Sequence, residues 1–106
     1  MAPKAEYNDK IPNPFSVRLS DEALGALRQL RRGTGLSEGD MVEWLLRETA
    51  KLKLVKRNRP GNLTERISFR VSEHGNALLR ELMDTQRCSG GDVVEAYIMR
   101  AANKAA

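Results

Sequence analysis

Apolar residues alternate with polar ones at two places along the chain. Phe15, Val17 and Leu19 enclose Ser16 and Arg18, and Ile67, Phe69 and Val71 enclose Ser68 and Arg70. A period of two with aromatic and β-branched residues predicts a half-buried strand. Pro14 fits a strand end, where a missing N–H costs little. After each strand the period lengthens. Leu24, Leu27, Leu30 and Thr34 recur at helical spacing, as do Leu78, Leu79, Leu82 and Met83. Ser20 and Ser72 stand where N-caps belong, each followed by an acid that suits the helix dipole. Gly33–Gly35 (GTG) ends the first of these helices, whereas Thr85–Arg87 (TQR) is a weaker stop. Ser37–Asp40 (SEGD) and Ser89–Asp92 (SGGD) restart the chain as capping-box variants with Asp in place of Glu or Gln. The next helix carries Met41, Val42, Leu45 and Leu52 on its apolar side in one case and Val93, Val94, Tyr97 and Ile98 in the other. Trp44, replaced by Ala96, reads as a packing residue.

These two passages are one pattern written twice. Ser16–Lys51 laid on Ser68–Asn103 without a gap, at an offset of 52, gives 12 identities in 36 positions, among them Ser16/Ser68, Arg18/Arg70, Ser20/Ser72, Gly39/Gly91, Asp40/Asp92 and Glu43/Glu95. A strand and two helices in about forty residues cannot bury both helix stripes and a strand face alone. Each copy needs a partner strand and a partner helix pair, and the chain supplies both. The expected architecture is therefore mostly α with a short pair of strands, in the order β-α-α-β-α-α. Residues 1–13 form an N-terminal tail that reads as disordered, 14–52 the first copy, 53–65 a basic linker and 66–106 the second copy. Residues 14–106 make one folded domain.

Strand alternation also sorts chemistry. With the apolar side chains turned to the helices, Ser16, Arg18, Arg66, Ser68 and Arg70 share the opposite face. Alone, such residues read as ordinary solvent-facing positions; their repetition in phase is what points to a contact surface. The formal charge of +4, from 18 Lys+Arg against 14 Asp+Glu, is a mild excess. Its distribution adds more, because Lys53, Lys56, Arg57 and Arg59 crowd the linker, and Lys4 and Lys10 lie in the tail.

Other chemistries find little. His74 reads as a surface residue of a first helical turn, and Cys88, at the position of Leu36, as a buried thiol. There is no metal-ligand spacing, no phosphate loop, no catalytic residue and no cofactor signature, so an enzyme is not expected and no small-molecule substrate is evident. No apolar run approaches the roughly 18 residues of a membrane span. The N-terminus lacks a signal-peptide h-region, which with one cysteine suggests a reducing cytoplasm.

The stretches VRLSDEALGALRQLRRGTGLSEGDMVEWLL and FRVSEHGNALLRELMDTQRCSGGDVVEAYI, the second more divergent, resemble the ribbon–helix–helix family of bacterial, phage and plasmid DNA-binding proteins. The likeness covers roughly three-quarters of the chain and rests on an ordered set of features rather than on one motif. It implies a tandem, pseudo-dimeric form of a fold usually built by two chains, mostly α with a short two-stranded antiparallel ribbon, and a partner, double-stranded DNA, whose major groove the ribbon enters. Ser16, Arg18, Arg66, Ser68 and Arg70 become base contacts. The start of the second helix clamps the DNA backbone in that family, which makes Ser37, Glu38, Gly39, Ser89, Gly90 and Gly91 phosphate contacts, with Lys56 and Arg57 of the linker adding to them. Gly39 and Gly91, lacking a Cβ, leave room for a phosphate, and Asp40 and Asp92 must turn back as caps to avoid repelling it. A nucleoid-associated transcriptional repressor is the first expectation. A relaxosome accessory factor at a plasmid transfer origin, or an antitoxin-type interaction module, are the alternatives, with self-association on adjacent sites a further option. The chain stops near the end of its last helix, which disfavours a toxin-binding tail. Pro14 stands where the second copy has Arg66, and pairing about Ser16 and Ser68 sets Arg18 opposite Arg66. An operator with unequal halves is expected.

Overall fold

The computed structural model describes residues 12, 14–49, 52–54 and 65–105. Its elements run β1 (Phe15–Leu19), α1 (Asp21–Arg31), α2 (Glu38–Glu48), β2 (Glu65–Phe69), α3 (Glu73–Gln86) and α4 (Gly90–Ala105). The strands form one antiparallel ribbon, pairing Phe15 with Phe69, Ser16 with Ser68, Val17 with Ile67, Arg18 with Arg66 and Leu19 with Glu65. The ribbon is symmetric about Ser16 and Ser68, which the duplication makes equivalent.

One face of the ribbon closes the core. Val17, Leu19, Ile67 and Phe69 are buried against Leu27, Leu45, Leu79, Val93, Val94 and Ile98, while Phe15 is half-buried and stacks on Phe69 with ring centroids 6.2 Å apart. At roughly 1.5–3 kcal/mol for each fully buried aliphatic side chain, these positions hold the ribbon down. Trp44 packs partly buried against the same core. The halves interlock rather than sit side by side: α4 packs on α1, α2 and β1, and α2 on α3.

Every helix start is capped as the serines predict. The Oγ atoms of Ser20, Ser37, Ser72 and Ser89 accept from the amides of Ala23, Asp40, Gly75 and Asp92, each at 3.1 Å. At α4 the box is reciprocal, since Ser89 N–H donates to Asp92 Oδ2 at 2.9 Å.

The ends differ between the copies. α1 stops at Arg31, so Thr34 is not a helical stripe residue. Its hydroxyl donates to the Arg31 carbonyl at 2.7 Å and accepts from the Leu36 amide at 3.1 Å, tying off the turn that Gly33 and Gly35 form at positive φ. α3 meets Thr85 where α1 has Gly33 and runs on to Gln86, ending with Arg87 left-handed at φ 53°.

α2 ends at Glu48, so Leu52 falls beyond it rather than on its apolar side. The chain there lies on the body. The Gln86 side chain donates to the Leu52 carbonyl at 2.9 Å and accepts from the Leu54 amide at 3.0 Å, and Leu54 is only 8% exposed. Lys53 and Leu54 therefore belong to the packed domain, and Glu65 to β2, not to a free linker.

Candidate nucleic-acid interface

The outer face of the ribbon carries Ser16, Arg18, Arg66 and Ser68, all exposed. Arg70 is also exposed, one residue past the end of β2. All five base-contact candidates are thus brought to one side of the molecule. At the centre the two serine hydroxyls hydrogen-bond each other at 2.8 Å. At one end Arg18 faces Arg66. Like charges directly opposite each other destabilise a ribbon, and a polyanion would relieve that. Continuing the register brings Pro14 opposite Arg70 at the other end, so the ribbon has two unlike ends.

Beside that second end an open hollow of about 500 Å³ is lined by Pro14, Ser37, Glu38, Gly39, Ser68, Phe69 and Arg70. It joins the outer face of the ribbon to the N-terminus of α2, where the helix dipole favours an anion. Ser37 at its rim is exposed and Glu38 half-buried. A groove-bound ribbon and a backbone clamp would share this concavity.

The glycines of the phosphate-contact set have a different explanation from the expected one. Gly39 is buried, and a Cβ there would run into the Arg70 carbonyl. Gly90 is buried as well, with a Cβ position 2.5 Å from Phe15 Cε1. Gly91 is likewise buried, and Ser89 half-buried. The absence of a Cβ at Gly39 and Gly90 lets the segment after β2 and the Phe15 ring of β1 pack close. Asp92, 2% exposed, does turn back as a cap. Lys56 and Arg57 lie outside the described residues, as does most of the tail.

The ribbon is held by a pair of contacts that its own sequence does not advertise. Glu43 of α2, fully buried, accepts from the Ser72 amide at 2.7 Å and from the Ser72 hydroxyl. It thus completes the N-cap of α3. Arg47 closes the carboxylate through Nε at 2.9 Å and Nη2 at 2.5 Å. The equivalent Glu95 of α4 accepts from the Ser20 amide and hydroxyl, both at 3.2 Å, and so completes the N-cap of α1. Each copy caps the other. A signal was present: Glu43 and Glu95 are identical between the copies, as are the serines, and Glu43 interrupts the apolar run Met41, Val42, Leu45 and Leu46.

Outside this surface, His74 is exposed. Cys88 is half-buried, and burial, then the Asp92 carboxylate, pushes its thiol above the ordinary range. No helix among the described residues is long and apolar enough to cross a membrane. No protein-family model, curated protein or solved structure matches the chain.

Proposed function

We propose that the chain is a tandem ribbon–helix–helix protein, a pseudo-dimer in one polypeptide, that binds double-stranded DNA sequence-specifically with its ribbon in the major groove. The observation that carries this is the pairing about Ser16 and Ser68, with three arginines and two serines exposed on one face. Scale supports it too. Five paired residues at about 3.3 Å each extend some 16 Å, and two strands about 5 Å apart enter a groove about 12 Å wide. Arginine bonds guanine O6 and N7 together, and serine bonds either donors or acceptors on base edges. The α2 end of the hollow supports an adjoining phosphate contact.

By occupying a promoter such a protein acts as a repressor, and that is the role proposed. The unlike ends of the ribbon lead to an operator with unequal halves. Titration of labelled random duplex at roughly 50 and 200 mM salt, followed by selection of bound sequences, tests the whole reading. Affinity should fall about tenfold for every two phosphates neutralised, and the selected site should be asymmetric. A salt-independent or absent interaction defeats the DNA reading, while a strictly palindromic optimum defeats the asymmetry alone.

A further inference from the structure

We infer that the surface joining the two halves is heterospecific: the first copy fits the second and does not fit another first copy. Two separate contacts carry this, and neither depends on DNA.

The first is Phe15 against Gly90. The ring is stacked on Phe69 on one side and has the Arg80 guanidinium 5.6 Å from its centroid. Its Cε1 and Cζ lie 2.5 and 3.1 Å from where a Cβ on residue 90 would be, and Val17 Cγ1 is 3.3 Å from the same point. At the offset of 52, the first copy has Glu38 in place of Gly90, and the second has Ile67 in place of Phe15. The large residue and the missing side chain stand in different copies.

The second is Glu43 against Gly75. A Cβ on residue 75 would lie 2.6 Å from both Cδ and Oε1 of Glu43. That carboxylate cannot swing aside without releasing the Ser72 amide and Arg47. The first copy has Ala23 at the position of Gly75, and the second has Met99 at the position of Arg47.

Pairing two first copies would therefore set Phe15 against Glu38, an overpacked joint, and would hold Glu43 over Ala23, where Glu95 now sits with bonds of 3.2 Å to Ser20 rather than 2.7 Å. Pairing two second copies would set Ile67 over Gly90, leaving a void, and Glu95 over Gly75 without the arginine that closes Glu43. Overpacked and underpacked cores are both destabilised. The mixed pairing sets Phe15 against Gly90 and the arginine-closed Glu43 against Gly75, which neither homotypic pairing does.

The ribbon's centre gives a direct test in the full-length chain. Residues 16 and 68 face each other, so cysteines there fall within disulfide reach. In a Cys88→Ser background, the Ser16→Cys/Ser68→Cys double variant should close a 16–68 disulfide on mild oxidation. The single variants Ser16→Cys and Ser68→Cys should give no covalent dimer, because homotypic pairing is what would bring two identical positions together. In parallel, Gly90→Ala should lower Tm by about 5–10 °C, with Phe15→Ile recovering part of the loss in the double variant. Covalent dimers from either single variant, as abundant as the closed double variant, overturn the inference. So does a Gly90→Ala protein that melts with the parent, or one that Phe15→Ile fails to improve.

Discussion

Glu43→Ala lowers the free energy of unfolding by about 3 kcal/mol, and Glu95→Ala by about 1 kcal/mol, in chemical denaturation of the full chain. The difference follows from burial. Without Glu43 the Ser72 amide, in a residue only 4% exposed, loses its carboxylate acceptor, and an unmet buried donor costs about 1–3 kcal/mol. The side chain also leaves a void, and the start of α3 loses a negative group worth about 0.3–1 kcal/mol. Arg47 limits the damage, since its side chain is 31% exposed and reaches water. Glu95 is half-buried with bonds of 3.2 Å, so water substitutes for it more readily. Glu43→Gln should fall between the parent and the alanine variant. Equal losses at the two glutamates, or losses below about 0.5 kcal/mol at both, would show that the crossed caps are incidental.

Arg18→Ala is the sharpest test of the proposed reading. The expected result is a loss of about 1–3 kcal/mol of discrimination at one base position in competition binding. Stability should change by no more than about 0.5 kcal/mol, because the residue is exposed. Lys56→Ala should instead lower affinity evenly across sequences and flatten the salt slope. The two variants separate reading from anchoring. An Arg18→Ala protein with unaltered base preference would remove the ribbon as the reader.

Much of the frame was legible because its signals are local. Alternation from Phe15 to Leu19 needs no tertiary knowledge, nor do the serine caps, and the duplication alone predicted which residue would face Arg18. What stayed hidden depends on residues far apart. A glutamate in a helix reads as solvent-facing, and nothing near Glu43 in sequence shows that Ser72 is its partner. Gly39 reads from sequence as an opening for a ligand, whereas the Arg70 backbone stands where its Cβ would be. The clamp of Gln86 on Leu52 and Leu54 joins residues more than thirty apart, so no local signal shows that Lys53 and Leu54 belong to the packed domain. Arg87 in a left-handed conformation is the kind of local exception that packing imposes against residue preference.

The crossed caps also constrain how the chain can fold. The start of α1 waits for a glutamate 75 residues away, and the start of α3 for one 29 residues away. The Ser20 and Ser72 amides gain their carboxylate acceptors only once a distant loop has closed, and loop closure is the slow, entropically costly event in forming such a topology. The two halves should accordingly lose amide protection together in hydrogen exchange, as one opening unit rather than as two modules of separate stability.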